Sequence, residues 1–461
     1  MNRRAFLATA AAAVPPPASG AATKPNFLFL IADDLTWNGI RAMGNSEVET
    51  PNLDRLMARG CTFTHCFHQG SWQGAVCVAS RQMLNSGLTA FRAPKQIGQV
   101  PLWGETLGAA GYDTSIVGKW HLSKPDLDRS FQERSQVFMG GMFESGPAAY
   151  NRPSEGNTWT PWDTSLKGQW LPVPEGGVRH SAMIWADAAA ERIRAGSKYE
   201  GPFFLYVGFT SPHDPRQAPK EFVDRYPAAK IKVPENYLPE HPFDQGDARV
   251  RDELLAPFPR TREAVRLHRS EYYAHITYLD AQVGRLLDAL ETSGKADSTY
   301  VIFTADHGLA VGQHGLMGKQ NLYDHSTRMP LIIAGPGIPK GKRVDEMVYQ
   351  HSAFATTCEL AGIAIPGTVE FPGLAGWLKG NTGPKNESMF CYYRDFQRSV
   401  RTREHKLILY PQAGKTQLFD LKRDPWETRN LADERNSAKL RDHLLQLLRE
   451  HRRKLGDPLP A

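Results

Sequence analysis

Long apolar runs are absent from this 461-residue sequence, which contains no stretch of 18 or more consecutive apolar residues. A helix that crosses a bilayer needs about 20 such residues, so we predict no membrane span. The formal net charge of +6 is small for this length, and no Lys/Arg run is present. Both features argue against a nucleic-acid-binding protein, although a mildly basic surface suits anionic substrates.

The N-terminus has the features of an export signal. A basic start is followed by an apolar run over residues 5–14 and by small residues near Ala21 and Ala22. The pair Arg3-Arg4 resembles a bacterial twin-arginine signal, and a plain secretory signal is the alternative. We therefore predict a signal peptide over residues 1–22, use of an export machinery, and a periplasmic or extracellular location in a bacterium.

Cysteine is scarce, and the number of cysteines is odd. Five cysteines in a chain of this length are too few for a disulfide scaffold. An odd number in an exported protein indicates a free or modified thiol. If Cys77 is consumed by modification, four remain, and a pairing of Cys61 with Cys66 is left open.

Strands and helices alternate through the first three quarters of the chain. Short runs rich in apolar residues predict strands buried on both faces at residues 27–32, 114–117, 203–209, 300–304 and 331–334. Helices are predicted between them at residues 53–60, 107–110 and 182–195, and over a long segment that includes residues 276–290. This alternation predicts an α/β fold with a largely parallel sheet covered on both faces.

The pattern changes after about residue 345. A helix is predicted over residues 348–360, and residues 366–384 are loop-like. Four short strands are predicted at residues 389–393, 399–402, 406–410 and 417–421, followed by an amphipathic helix over about residues 438–455. We therefore predict a main domain over residues 23–345 and a smaller α+β subdomain, an antiparallel sheet plus one helix, over residues 346–461.

Polar residues crowd the carboxyl ends of the predicted strands, where open α/β sheets bind their ligands. They are Asp33, Asp34, Lys119, His121, His213, Asp306 and His307. Each alone has an ordinary explanation as a helix cap, a turn residue or a structural histidine. Together they predict one site, and its three carboxylates would repel one another unless a hard divalent cation neutralised them.

The segment Cys77-Val78-Ala79-Ser80-Arg81, followed by a helix and Gly87, resembles the signature of the sulfatase family, Cys-x-Pro/Ala-x-Arg. A small buried cysteine before a helix is the ordinary alternative. In that family a formylglycine-generating enzyme oxidises the cysteine to an aldehyde. The resemblance therefore implies that Cys77 becomes formylglycine and that this maturation enzyme is a partner.

The resemblance extends over nearly the whole mature chain. Matching segments include residues 25–34, 50–56, 118–122, 211–213, 304–308, 318–324 and 418–432. They are similar to those of iduronate-2-sulfatase-like and other glycan sulfatases. The family implies an alkaline-phosphatase-like fold, with a large mixed, mostly parallel sheet flanked by helices and a smaller C-terminal α+β domain. The main domain, residues 23–345, would be the sulfatase catalytic domain.

The family also implies a metal site. Asp33, Asp34, Asp306 and His307 would bind one Ca²⁺ per chain, and the formylglycine from Cys77 would complete the coordination. An imidazole is a softer ligand than an oxygen, so manganese or another divalent metal is left open.

The remaining catalytic residues follow from the same resemblance. Lys119 and Lys319 would hold the sulfate oxygens, and Arg81 would fix the formylglycine and its loop. His213 would protonate the leaving oxygen, and His121 would act as the base that lets sulfate leave the enzyme.

The predicted function is hydrolysis of a sulfated carbohydrate or a small sulfate ester. A phosphodiesterase or phosphonate monoester hydrolase of the same superfamily is the first alternative, and a catalytically inactive carbohydrate-binding protein is the second. Candidate substrate contacts, with packing as the alternative for each, are His68, Gln69, Trp72, Trp159, Trp162 and Trp170. Arg216 either binds a uronate or second sulfate or is an ordinary surface residue.

Overall fold

The structure is a computed structural model that describes residues 24–141, 143, 159–196 and 201–459. The predicted signal peptide over residues 1–22 lies outside the described residues. Within the described part of the chain, no helix combines the length and the apolar composition that a bilayer crossing requires.

The strands are β1 (Asn26–Asp33), β2 (Cys61–Phe67), β3 (Gly70–Ser71), β4 (Asp113–Lys119), β5 (Glu133–Phe138), β6 (Trp170–Pro172), β7 (Val178–His180), β8 (Phe203–Pro212), β9 (Thr299–Ala305), β10 (Arg328–Ala334), β11 (Lys342–Tyr349), β12 (Met389–Tyr393), β13 (Gln397–Arg401), β14 (His405–Tyr410) and β15 (Lys415–Asp420). The helices are α1 (Pro51–Arg59), α2 (Val76–Ser86), α3 (Ala93–Gln96), α4 (Trp103–Ala109), α5 (Lys124–Ser130), α6 (Ser181–Ala195), α7 (Lys220–Val223), α8 (Arg262–Thr292), α9 (Asp324–Thr327), α10 (Ser352–Ala361), α11 (Ala375–Leu378) and α12 (Ala438–Leu455).

The larger sheet has eight strands in the order β11-β2-β10-β9-β1-β8-β4-β5. Strand β10 pairs antiparallel with β9 and β2, and each of the other pairings in this sheet is parallel. Parallel strands need crossover connections, which here place helices against the sheet. A mixed, mostly parallel sheet flanked by helices is the fold class predicted from the sequence, and this prediction is confirmed.

The register of the central strands brings their carboxyl ends to one edge of the sheet. Ala32 at the end of β1 lies opposite Ala305 of β9, and Asp33 lies opposite Pro212 of β8. Gly118 of β4 lies opposite Gly208 of β8. The residues that follow these four strands are therefore neighbours in space, whatever their separation along the chain.

The smaller sheet has the order β15-β14-β13-β12-β3 and packs against α12, as the predicted subdomain requires. Its last strand, β3, comes from the segment just before α2 and pairs parallel with β12. Gly70 makes this pairing possible, since its φ is +103° and a Cβ there would lie 1.8 Å from the carbonyl oxygen of Tyr392. The C-terminal sheet is thus attached directly to the segment that leads to Cys77.

The predicted helix over residues 348–360 was wrong at its start. Val348 and Tyr349 form the end of β11, which pairs parallel with β2, and α10 begins at Ser352. Pairing with a distant strand outweighed the local helical pattern of the apolar residues. The predicted domain boundary after residue 345 falls within β11, and the division into two domains stays a prediction.

All five cysteines have free, buried thiols. Cys61 and Cys66 are the first and sixth residues of β2. An extended strand separates two such residues by about 16 Å, whereas a disulfide needs their Cα atoms within about 7 Å. The pairing left open from the sequence is therefore excluded in this fold.

Candidate active site

Five buried side chains from three parts of the chain form an acidic cluster at the carboxyl edge of the larger sheet. Potential ligand atoms of Asp33, Cys77, Asp306 and His307 all lie within 4.8 Å of one another. Asp34 joins them through its backbone N–H, which donates to Asp306 Oδ1 at 3.4 Å. Each of these five residues is at most 2% exposed. The structure thus brings four of the predicted metal ligands within 4.8 Å of one another. Asp34 lies beside them, with ligand atoms of Asp33, Asp34 and His213 within 4.8 Å of one another.

The orientation of His307 leaves one of its ring nitrogens open toward this cluster. Nδ1 lies 3.0 Å from the carbonyl oxygen of Gly308, which can only accept, so Nδ1 carries a proton. Nε2 lies 3.5 Å from Asp306 Oδ1 and 3.9 Å from Asp33 Oδ1. Fixing the Nδ1 proton in this way is how metal-binding histidines present Nε2 to an ion.

Several side-chain atoms around these carboxylates have no hydrogen-bond partner among the described residues. Asp33 Oδ1, Asp34 Oδ2 and His307 Nε2 are buried and have no hydrogen-bond partner among the described residues. Such atoms are costly to leave unsatisfied in a protein interior. Two carboxylate oxygens and one imidazole nitrogen are a donor set that fits a divalent cation.

Three cations hold the opposite oxygens of the same carboxylates. Lys119 donates to Asp33 Oδ2, and Lys319 donates to Asp34 Oδ1 at 2.8 Å. Arg81 donates through Nε to Asp306 Oδ2 at 3.0 Å. Each aspartate therefore has one oxygen bound to a basic side chain, which stabilises three buried negative charges and fixes their orientation.

Cys77 lies in the first turn of α2, close to both lysines of the cluster. Burial raises the pKa of the Cys77 thiol, but Lys119, His121 and Lys319 together hold that pKa well below its usual range. The backbone N–H groups of a helix N-terminus also favour negative charge. Residue 77 therefore occupies a strongly electropositive position at the edge of the carboxylate cluster.

Close backbone approach and local strain position Lys119 and His121. Strands β4 and β8 come so close at Gly118 that a Cβ there would lie 2.1 Å from the carbonyl oxygen of Gly208. Asp34 and His121 have φ values of 70° and 63°, which non-glycine residues rarely adopt. Strain of this kind costs about 1–3 kcal/mol per residue and is concentrated at functional sites.

His213 is a further histidine that lies beside the carboxylate cluster. Its Nδ1 donates to the carbonyl oxygen of Asp214 at 2.8 Å, and its Nε2 lies 3.8 Å from Asp34 Oδ2. It is 8% exposed, more than any metal-ligand candidate. His213 therefore faces the cluster from the side that retains some access to solvent.

The structure also assigns supporting residues that the sequence analysis missed. Tyr272 of α8 donates to the backbone oxygen of Asp34 at 2.6 Å, and Gln350 donates to that of Asp306 at 3.0 Å. Asp252 lies 3.8 Å from Lys319 Nζ. No sequence motif marks these three residues.

Most predicted substrate contacts are used for packing. His68 accepts from the Gly70 N–H at 2.8 Å, and Gln69 accepts from the Ala90 N–H at 2.9 Å. Trp159 is buried, and the Trp170 ring packs edge-on against His180 with centroids 5.2 Å apart. Trp162 is exposed beneath Lys220, and Trp72 packs against the cluster formed by α12 and the smaller sheet.

Comparison with known proteins covers both parts of this fold. The family model described as Sulfatase matches residues 25–363, and the model described as N-sulphoglucosamine sulphohydrolase, C-terminal, matches residues 312–454. A sulfatase of Formosa agariphila is 30% identical, with 89% of this chain and 83% of that protein covered. Iduronate 2-sulfatase of Homo sapiens is 29% identical, with 74% of this chain and 70% of that protein covered.

Solved structures show the same architecture. One, described as a complex with its substrate D-glucosamine-2-N,6-O-disulfate, aligns with a TM-score of 0.74 at 20% identity and covers 95% of this chain and 99% of its own. Phosphonate monoester hydrolase of Agrobacterium radiobacter aligns with a TM-score of 0.75 at 21% identity, covering 94% and 96%. At these identities the likeness is one of fold alone.

The sheet architecture is the alkaline-phosphatase-like fold predicted from the sequence, and these solved structures share it. Within that class the chain belongs to the sulfatase family, as its match over residues 25–363 shows. It is accordingly a sulfuric ester hydrolase.

Proposed function

We propose that this protein removes sulfate from a sulfated carbohydrate, with a formylglycine made from Cys77 and one bound divalent cation. The observation that carries the proposal is the position of residue 77. Its sulfur atom lies within 4.8 Å of ligand atoms from Asp33, Asp306 and His307, and its thiol interacts electrostatically with Lys119 and Lys319. The proposed nucleophile, the proposed metal ligands and the proposed sulfate-binding lysines are therefore close to one another.

Asp33, Asp34, Asp306 and His307 would hold the cation. Ligand atoms of Asp33, Asp306 and His307 lie within 4.8 Å of one another, and Asp33 Oδ1, Asp34 Oδ2 and His307 Nε2 have no hydrogen-bond partner among the described residues. Calcium is our choice because three of the four ligands are carboxylates, and manganese remains the alternative because the fourth is an imidazole. A bound cation would polarise the sulfate ester and favour the ionised form of the attacking hydroxyl.

Formylglycine would supply an aldehyde hydrate, whose one hydroxyl attacks sulfur and whose other hydroxyl allows the sulfate to leave by carbon–oxygen cleavage. Arg81 supports this position, since its Nη2 is buried without a partner among the described residues and the Arg81 charge interacts with Cys77. We infer that Arg81 fixes residue 77 and its loop.

The lysines would bind the sulfate oxygens. Lys119 and Lys319 lie on either side of the carboxylate pair, and both are at least 96% buried. A sulfate between them would meet two positive charges in a site with little water, where electrostatic interactions are strong. They would offset the charge that grows on the sulfate oxygens in the transition state.

The two histidines would move protons. His213 has its Nδ1 proton held by the Asp214 carbonyl, so a second proton on Nε2 can pass to the leaving oxygen of the substrate. His121 interacts with the Cys77 side chain, and its Nδ1 has no hydrogen-bond partner within the described chain. It would remove the proton from the second hydroxyl of residue 77.

Burial of Cys77 sets the order of maturation. The side chain is 2% exposed, so a modifying enzyme could reach it only before the chain folds. We therefore propose that a formylglycine-generating enzyme acts on the unfolded chain in the cytoplasm. The folded protein would then be exported to the periplasm or the exterior through its twin-arginine-like signal.

A carbohydrate substrate is supported by two of the similar proteins. One is described as iduronate 2-sulfatase, and the other as a complex with its substrate D-glucosamine-2-N,6-O-disulfate. Release of inorganic sulfate from a panel of sulfated mono- and disaccharides tests this part of the proposal. We expect at least one sugar to exceed an aryl sulfate in kcat/KM. A protein that cleaves aryl sulfate alone would contradict it.

A phosphodiesterase or phosphonate monoester hydrolase is the second candidate, favoured by the fold of the Agrobacterium radiobacter enzyme. An aryl sulfate, an aryl phosphate and an aryl phosphodiester with the same leaving group serve as assay substrates that distinguish these two functions. We expect the sulfate to have the highest kcat/KM. Preference for the diester would move the assignment to phosphoryl chemistry.

A further inference from the structure

Arg216 is a buried cation close to the active site. It lies three residues after His213 and is 4% exposed, so it is not the surface residue that the sequence allowed. Its guanidinium carbon lies 5.9 Å from the centroid of the Tyr272 ring. Tyr272 in turn donates to the backbone oxygen of Asp34. One aromatic side chain therefore separates this guanidinium from the metal-ligand loop.

Only part of the guanidinium is used by the protein. Nη1 donates to Nδ1 of His268 at 2.9 Å. Nε and Nη2 are both buried and have no hydrogen-bond partner in the part of the chain that the structure describes. No carboxylate oxygen of the described residues lies within 4.0 Å of Arg216.

The nearest acidic residue along the chain is already bound. Asp214 receives two hydrogen bonds from Arg251, one of them at 3.1 Å, and its Oδ1 lies 3.4 Å from His213 Nδ1. Its side-chain hydrogen bonds are therefore made with Arg251, and Arg216 attracts this carboxylate without a direct contact. Two buried guanidinium nitrogens without a hydrogen-bond partner among the described residues are costly, which argues that Arg216 is kept for an anion from outside the chain.

The two unused nitrogens define the shape of that anion. The Nε–H and one Nη2–H point the same way along a single edge of the planar guanidinium. This fork matches two oxygens of one carboxylate or one sulfate, and the pairing is stronger and more directional than a contact with an ammonium group.

We propose that Arg216 binds a second anionic group of the substrate, a carboxylate or a second sulfate, while the first sulfate is held at residue 77. The inference rests on the proposed function and narrows the substrate class to saccharides with at least two anionic groups. Arg216 is then a specificity-determining residue, which binds the part of the substrate that does not react.

The wild-type protein tests this with three substrates that share one sulfated sugar. The first has a neighbouring carboxylate, the second has the corresponding carboxamide, and the third has a second sulfate. We expect kcat/KM to be about 10- to 100-fold higher for the carboxylate or the disulfate than for the carboxamide. Equal kcat/KM for all three would overturn the proposal, and the preferred anion identifies which group Arg216 binds.

Two variants distinguish the contribution of paired hydrogen bonds from the guanidinium of Arg216 from the contribution of its positive charge. Arg216→Met should bring the kcat/KM ratio of dianionic to monoanionic substrate close to one. Arg216→Lys, which keeps the charge and loses the fork, should give an intermediate ratio. Arg225→Met is the control, since it removes a cation nine residues away whose side chain is 44% exposed. A wild-type ratio in Arg216→Met would contradict the proposal.

Binding measurements keep the inference independent of turnover. Calorimetry on Cys77→Ala protein, with and without Arg216→Met, compares the affinities of the same three compounds. Weaker binding of the dianions alone in the double variant supports the assignment, and equal affinities contradict it. The wild-type protein could cleave none of the compounds while Arg216→Met still weakens binding of the dianions. That result would contradict the proposed sulfate hydrolysis and would support anion binding by Arg216.

Discussion

Arg81 and Asp306 form an ion pair with both side chains fully buried, Nε to Oδ2 at 3.0 Å. The pair joins the helix that carries Cys77 to the strand end that carries the metal-ligand candidates Asp306 and His307. Arg81 Nη1 also donates to the backbone oxygen of Lys119 at 2.9 Å. One side chain therefore holds three separate segments of the active site in register.

Removing this cation should destabilise the fold as well as the site. Arg81→Met leaves Asp306 as a buried charge without its partner, which costs about 3–5 kcal/mol. The free energy of unfolding from urea titration measures this loss. Arg92→Met, which breaks an exposed pair with Glu370, is the matched control and should cost less than about 1 kcal/mol. Similar losses in both variants would contradict the structural role given to Arg81.

Calcium should stabilise the folded protein. An ion that binds only the native state at 100 times its Kd adds about 2.7 kcal/mol to the free energy of unfolding. Chelation should therefore lower Tm and abolish sulfate release, and added calcium should restore both. Asp34→Asn should remove the calcium-dependent rise in Tm, whereas Asp288→Asn, at an exposed pair with Arg55, should retain it. A Tm that changes with neither calcium nor manganese would argue against the cation site.

Lys406 of β14 attaches the smaller sheet to α9, the short helix that precedes β10. Its ammonium group is buried between Asp324 Oδ1 at 2.5 Å and Glu427 Oε1 at 2.7 Å. Lys406→Met should lower the free energy of unfolding by about 3–5 kcal/mol, because two buried carboxylates lose their shared cation. Lys422→Met, at an exposed pair with Glu404, should change it by less than about 1 kcal/mol. A mild effect at Lys406 would mean that the pair of Arg401 with Asp324 and the apolar packing suffice to hold this segment.

Asp280 should make stability depend on pH. Burial raises the pKa of its carboxyl from 3.8 to about 6, although it accepts N–H bonds from Asn52 and Leu53 at the start of α1. Between those pH values the native protein keeps a proton that the unfolded chain has lost, so stability falls as pH rises. The free energy of unfolding of wild type relative to Asp280→Asn should decline by at most about 3 kcal/mol from pH 4 to pH 6. A constant difference across this window would show that the carboxyl ionises normally.

The strands of the larger sheet could be predicted where burial on both faces leaves a continuous apolar run, as in β1, β8 and β9. Strand β2 was not recognised, because Thr62, Thr64 and His65 interrupt its pattern even though Thr62 and Thr64 are buried. Its place beside β10 and β11 depends on pairing with segments more than 250 residues away. Local pattern carries no signal of such pairing.

The candidate site also contains some residues that could be predicted from the sequence and others that could not. Its acidic residues and histidines follow predicted strands, so topology alone places them together. Tyr272, Gln350 and Asp252 come from a helix, a loop and an irregular stretch, and only the folded chain brings them to the site. The burial of Arg216 and the free edge of its guanidinium were equally beyond prediction, because both depend on how α8 packs beside the end of β8.

Cys77→Ala is the variant that tests the central claim, formylglycine-dependent sulfate hydrolysis, most directly. The protein is produced together with a formylglycine-generating enzyme, and sulfate release is measured alongside the mass of the peptide that contains residue 77. We predict an aldehyde or hydrate mass and turnover in the wild type, and no turnover in a Cys77→Ala protein with an unchanged Tm. Undiminished sulfate release from Cys77→Ala, or full wild-type activity with an unmodified thiol at residue 77, would contradict the account.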